Sequence, residues 1–280
     1  MRFGISTHLF HHVRLGREHL ALVAAYGFEA IEVFATRSHF DYRDPQAIDA
    51  LAQWLTETGL ALHGIHAPIT DTFGAGDVWS ATFSNAVSDT ANREAAVRET
   101  EAALQIARRI PCEVLVVHLG TPATKSNPGD NNRNAAVRSV DEICRIAEPL
   151  GLRVALEVIP NRLSDPASLV SLLDTDVEAR HAGICMDFGH AHLMGDVADA
   201  IETASEHLIT THVHDNRGRE DEHLVPYLGN IEWDVALMAM QKIGYEGTYL
   251  MELAGGASPA TILEEARRAR QRFERALAQK

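Results

Sequence analysis

Residues 131–175 read NNRNAAVRSVDEICRIAEPLGLRVALEVIPNRLSDPASLVSLLDT. One structural unit is visible in them. Residues 131–149 carry the Ala/Arg/Ile/Val pattern of a helix, and Gly151 stands where a helix end turns left-handed. RVALEVI (153–159) is a short, β-branched, apolar run and reads as a strand. Asp165-Pro166 then supplies an N-cap followed by proline in the first turn, opening a helix over 166–175. Side chains alternate along a strand, so Val154, Leu156 and Val158 share the face that packs under helices. Ala155 and Glu157 share the other.

The same unit recurs in both directions. Further strands are expected at FGIST (3–7), AIEVFA (30–35), LALHGIHA (60–67), EVLVVHLG (113–120), GICMDFG (183–189), LITTHVHD (208–215) and TYLMEL (248–253). Helices are expected between them, over about 16–26, 45–58, 88–109, 196–206, 231–243 and 258–277. Gly59 marks another helix stop, and Ser258-Pro259 another start. Eight strands alternating with eight helices imply a parallel sheet. Closure into a (β/α)8 TIM barrel, one α/β domain over residues 1–280, is the economical solution. A doubly wound open sheet is the alternative, but no GxGxxG follows the first strand. Two long loops, 69–87 and 120–130, follow strand C-termini and are expected to form lids or substrate walls.

Composition narrows the function. The chain has 280 residues, 46% of them hydrophobic, and a formal net charge of −14. That charge argues against general affinity for DNA, RNA or an anionic membrane. Cys112, Cys144 and Cys185 form no CxxC pair and read as small buried side chains of a reducing compartment. No apolar stretch approaches the roughly 20 residues of a membrane span, and MRFGISTHLF runs straight into a strand pattern. The expectation is a cytoplasmic protein with neither a membrane nor a nucleic acid as partner.

Polar residues stand where apolar strands should end. They are His66 on strand three, His118 on strand four, Glu157 on strand five and Asp187 on strand six, with His190 three residues on. Strand seven carries His212 and His214 on one face, and strand eight ends in Glu252. Taken singly, a strand histidine is usually a satisfied core residue, and a strand carboxylate an ion-pair partner or a barrel-core charge. Together, in a closed barrel, they converge on one mouth. Several buried carboxylates without counter-charge are very costly, and no lysine lies in these strands. A divalent cation resolves the conflict.

The chain resembles the xylose-isomerase-like barrel superfamily, which includes sugar phosphate isomerases/epimerases, ketose 3-epimerases, inosose and hydroxypyruvate isomerases and endonuclease IV. HAP (66–68), VVHLG (116–120), LEVIPNR (156–162), MDFGH (186–190), HVHDNRGREDEHLVPYLGNIEW (212–233) and LMEL (250–253) carry the resemblance. In the isomerase/epimerase branch it implies one metal held by Glu157, Asp187, His212 and Glu252, with His190 on substrate oxygen and Arg217 or Arg219 on substrate. The branch's second strand-five glutamate has no counterpart here, since Ser164 stands near that place. Endonuclease IV holds three zincs, and the resemblance to it adds His66, His118, His190, Asp221 and His223 as ligands. Against that branch stand the acidity of the chain, a shorter loop between His212 and Asp221, and no cluster of basic and intercalating side chains.

The expected activity is a divalent-metal-dependent isomerisation or epimerisation of a ketose, inosose or keto-sugar, a small sugar or polyol. The cation chelates a carbonyl and its neighbouring hydroxyl and stabilises the enediolate. Glu157 and Glu252 act as the catalytic proton carriers. Three carboxylates and one histidine suit Mn²⁺, Mg²⁺ or Co²⁺, and further histidines favour Mn²⁺ or Zn²⁺, so Mn²⁺ leads. Glu32 and His8 are candidate substrate contacts, and His214 a substrate-facing or supporting residue. The alternatives are a multinuclear zinc phosphodiesterase, a lyase or dehydratase on a keto-sugar, and a silent sugar-binding barrel. Few lysines and no glycine-rich cradle argue against a phosphorylated substrate. The family's habit implies a homodimer or homotetramer.

Overall fold

A computed structural model of the chain describes residues 1–72, 83–179, 181–254 and 258–278. Eight strands, β1 (Arg2–Ser6), β2 (Ala30–Phe34), β3 (Ala61–His66), β4 (Val114–Val117), β5 (Arg153–Glu157), β6 (Ala182–Asp187), β7 (Leu208–Val213) and β8 (Thr248–Met251), form one sheet. Each pairs in parallel with its sequence neighbour, and β1 pairs with β8, so the sheet closes in the order β1 to β8. It is a single-domain TIM barrel.

Alternation along the strands divides the core as RVALEVI suggests. Leu115, Val117, Val154, Leu156 and Ile184 belong to the large cluster between sheet and helices. Val114, Val116, Ala155 and Cys185 form a separate small cluster inside the barrel. The axis is therefore filled with modest side chains below and polar ones above.

The helices are α1 (Arg17–Ala25), α2 (Pro45–Thr58), α3 (Thr90–Ala103), α4 (Gln105–Arg109), α5 (Arg133–Ala147), α6 (Pro166–Thr175), α7 (Phe188–Met194), α8 (Val197–Ala204), α9 (Trp233–Lys242) and α10 (Pro259–Ala278). Gly59 and Gly151 take the expected left-handed cap, with φ of 72° and 74°. Asp165 accepts from the Ser168 N–H at 2.9 Å and caps α6. The sequence pattern differs from this in two places. The helix expected over 88–109 is broken at Leu104, whose N–H turns back to Thr100 and Ala102. And GICMDFG is not strand to its end: Asp187 closes β6 and caps α7, the helix that the pattern concealed.

Of the two expected wall loops, 69–87 lies partly outside the described residues, at 73–82. The 120–130 loop is described. It is closed on itself by Asn131, whose amide oxygen accepts from Thr121 N–H at 2.8 Å and whose amide nitrogen donates to Thr121 O at 3.1 Å. The three cysteines are unpaired, and burial pushes each thiol up to about 12. Among the described residues no helix is long and apolar enough to cross a membrane.

Candidate metal centre

The strand ends deliver the polar residues together. Glu157 and Asp187 are the last residues of β5 and β6, and Asp187 is in register with His212 of β7. Glu252 follows β8 and is tied back by its N–H to Val213 O at 3.2 Å. Glu157, Asp187 and His212 have no exposed surface, and Glu252 has 3%. Their ligand atoms all lie within 4.8 Å of one another.

These atoms face each other without bonding. His212 Nδ1 is 3.4 Å from Glu157 Oε2, 3.5 Å from Glu252 Oε2 and 3.9 Å from Asp187 Oδ2. His212 Nδ1 and Glu157 Oε1 are buried and make no hydrogen bond. Ligands about 2.1 Å from a shared cation stand roughly 3.0–3.5 Å apart. The spacing and the orphaned atoms therefore fit a divalent cation. Among the described residues no arginine or lysine pairs with these carboxylates; their partners are imidazoles.

Two further groups adjoin. His66 Nε2, His118 Nε2 and Glu157 Oε2 form a triangle with edges of 3.2, 3.0 and 3.2 Å. Glu157 thus belongs to two groups. The third group is His190, His214, Asp221 and His223. There Asp221 Oδ2 lies 3.1 Å from both His190 Nε2 and His223 Nε2. His214 Nε2 is 3.0 Å from Asp187, which links this group to the first.

Burial opposes charge on Glu157 and His223, yet their neighbours override it. The His118 and His212 rings hold Glu157 well below the usual carboxylate range despite its burial. Burial lowers His223, but Asp221 and Glu252 carry it up to about 9.

Hydrogen bonds fix which ring nitrogen each histidine offers. A nitrogen against a carbonyl oxygen must carry the proton, because the oxygen only accepts. Nδ1 of His66 faces Ala67 O at 2.9 Å, that of His190 faces Val158 O at 3.0 Å, and that of His223 faces Glu252 O at 3.0 Å. All three present Nε2 to their group. His190 is also held by its backbone. Asp187 Oδ1 caps α7 by accepting the His190 N–H at 2.7 Å, so the D-x-x-H spacing is that of an N-cap and its third helical residue.

The segment after β7 is organised by Asp215, a role that the sequence pattern does not reveal. Its buried carboxylate accepts from Asn216 N and Tyr227 N at 2.9 Å, Ile231 N at 3.1 Å and Trp233 Nε1 at 2.8 Å. Asp215 and Leu224 form an antiparallel bridge that returns the chain to the mouth. His223 sits there with φ 47°, an uncommon backbone for a residue other than glycine. Arg217 is exposed and paired with Glu222, whereas Arg219 lines the cavity over the site.

That cavity holds about 880 Å³. His8, His118, His190, Lys125, Arg219 and His223 are among its walls. The HLFHH run (8–12) contributes more than the sequence suggests, since His11 and His12 line it beside His8. His8 stacks on His11 with ring centres 4.5 Å apart and donates through Nδ1 to Leu253 O at 3.2 Å. Glu32 is not among the lining residues; it lies below, against His212 Nε2 at 3.2 Å. Ser164 is a strut, its hydroxyl bonded to Leu119 O at 2.7 Å.

Fold and site together define a TIM barrel with a candidate metal centre on its C-terminal face. The chain belongs to the xylose isomerase-like TIM barrel family, whose model matches residues 20–273. An uncharacterised protein of Methanocaldococcus jannaschii is 29% identical over 260 residues, covering 90% of this chain and 83% of its own. The D-psicose 3-epimerase of Agrobacterium fabrum is 26% identical over 273 residues, 88% of each chain. The crystal structure of a D-tagatose 3-epimerase-like protein superposes with a TM-score of 0.77, at 25% identity, over 99% of this chain and 98% of that one.

Proposed function

We propose that the protein is a divalent-metal-dependent sugar isomerase or epimerase that moves a proton next to a carbonyl of a ketose, inosose or keto-sugar. The observation that carries this reading is the buried corner of Glu157, Asp187, His212 and Glu252 at the mouth of the barrel. Its likeness to 3-epimerases supports the substrate class. When bound, the cation supplies Lewis acidity at a carbonyl and its neighbouring hydroxyl, acidifying the C–H between them. Mn²⁺ leads for this donor set, with Mg²⁺, Co²⁺ and Zn²⁺ as alternatives.

Glu157 and Glu252 reach the corner from separate parts of the wall, one at the end of β5 and one just after β8. One carboxylate takes the proton from carbon and the other returns it. His190, with Nε2 turned to the cavity side, contacts a substrate oxygen. Arg219, which lines the cavity, contacts substrate rather than Arg217, which pairs with Glu222.

The experiment is proton exchange in D₂O with a ketose and inosose panel. The wild-type enzyme with Mn²⁺ incorporates deuterium next to the carbonyl, and Glu157→Gln, an isosteric change, loses at least 100-fold of that rate. Unchanged exchange in the variant refutes its role.

The His66–His118–Glu157 triangle and the Asp221 group favour a second reading, a multinuclear zinc phosphodiesterase. Metal analysis separates the two: one cation per chain supports the isomerase, three tightly held zincs the phosphodiesterase. A lyase or dehydratase would share the first proton transfer and reveal itself by loss of water from the sugar.

A further inference from the structure

Glu32, by its parity a candidate for either a substrate contact or a core role, sits inside the barrel with 1% exposure, on β2 and in register with Ser6 of β1. Each carboxylate oxygen has one partner. Oε1 accepts from Ser6 Oγ at 3.2 Å, and Oε2 faces His212 Nε2 at 3.2 Å. Among the described residues no arginine or lysine pairs with it. His212 is also the exception among the site's histidines. His66, His190 and His223 give Nδ1–H to a backbone carbonyl and present Nε2. His212 presents Nδ1 to Glu157 and Glu252, at 3.4 and 3.5 Å. Its place explains the reversal. His66 uses the carbonyl of the next residue, Ala67, but for His212 the equivalent carbonyl, Val213 O, already accepts the Glu252 N–H at 3.2 Å. A ring there needs an acceptor from across the barrel, and β2 supplies it.

We infer that Glu32 is the positioning residue of the metal centre: by accepting the His212 Nε2 proton it fixes the tautomer that leaves the Nδ1 lone pair in the carboxylate corner. A carboxylate in this place also makes the ring a stronger donor than a carbonyl would, and such partners typically contribute 10–100-fold to metal affinity. Ser6 holds the other oxygen and so sets the rotation of the carboxylate. The inference rests on the metal reading of the site proposed above and concerns this chain's own hydrogen bonds.

The test uses full-length protein and Zn²⁺ alone. Affinity is measured by chelator competition for wild type, Glu32→Gln and Glu32→Leu. Long-range ¹H–¹⁵N spectra of the zinc-loaded wild type report the ring nitrogens, with His212 assigned by its absence in His212→Gln. The expected result is zinc on His212 Nδ1 with Nε2 protonated. Glu32→Leu should bind about 10–100-fold more weakly, and Glu32→Gln, whose amide oxygen still accepts, should recover most of the loss. Zinc on His212 Nε2 overturns the inference, as does undiminished binding by Glu32→Leu. Glu32→Gln as weak as Glu32→Leu also overturns it, because charge rather than tautomer would then matter. If Glu32→Leu does not fold, the wild-type ring spectrum and Glu32→Gln decide. A wild-type protein that binds no divalent cation overturns the metal reading itself, and this inference with it.

Discussion

The histidine at 214 shows how one small residue keeps a large one in place. Its ring has no exposed surface and stacks on His223, with centres 4.0 Å apart and planes 14° from parallel. Its Nε2 meets Asp187, a member of the metal corner. Such packing is possible because the first turn of α7 carries Gly189 beside it. A Cβ at that position would lie 2.0 Å from His214 Cε1 and 2.3 Å from Nδ1. Held between His223 and Asp187, the ring has nowhere to retreat. Gly189→Ala should therefore destabilise the fold by about 1–3 kcal/mol, the usual cost of overpacking, and weaken cation binding through Asp187. Urea unfolding with and without Zn²⁺ checks both effects; an unchanged midpoint would show that α7 moves aside. The shared parity of His212 and His214 is legible in TTHVHD. The Gly189 contact is not, because it joins segments 25 residues apart.

At the scale of elements, the loop from β7 to α9 is a structure in its own right, and Asp215 is its centre. Three of the four groups it binds lie 12 to 18 residues downstream. Through them it sets the bridge that returns Leu224, and with it Asp221 and His223, to the mouth. Asp215→Ala leaves the N–H groups of Tyr227 and Ile231 and the Trp233 indole without their acceptor. The expected loss is about 2–4 kcal/mol, given the cost of each unsatisfied buried donor. Cleavage within 217–230 by trypsin should accelerate while the rest of the barrel resists; resistance equal to wild type would show that water replaces the carboxylate. Most elements were legible, because hydrophobic alternation and caps such as Asp165-Pro166 are local signals. What escaped was non-local. Phe188-Gly189 reads as the tail of the strand GICMDFG (183–189), and the Asp187 cap instead makes it the start of α7. Arg217 and Arg219 are equivalent by spacing, and only the Glu222 pairing of the folded loop tells them apart. The Asp215 signal was hidden because three of its four partners are backbone groups, which no side-chain pattern records.

Across the whole molecule, charge and architecture point the same way. A chain of net charge −14 repels polyanions and attracts cations, and the barrel gathers part of that acidity into a dry mouth where imidazoles are its only neutralisers among the described residues. Cation binding should then be a stabilising force on the entire fold, since the unfolded chain does not hold these carboxylates together. At a free cation concentration one hundred times the Kd, one site adds about 2.7 kcal/mol. For a barrel of this size, that corresponds to a rise in Tm of about 5 °C. Calorimetric melting of chelator-stripped protein titrated with Mn²⁺ or Zn²⁺ measures it. Asp187→Asn, which touches both the first corner and His214, should remove most of the rise. The size of the shift also bears on function: three filled sites at the same ratio would raise Tm by roughly three times as much. A single-site shift favours the isomerase reading, a threefold shift the phosphodiesterase reading. No shift with any divalent cation would leave the imidazole–carboxylate mixture as a self-neutralised core and remove the basis for both.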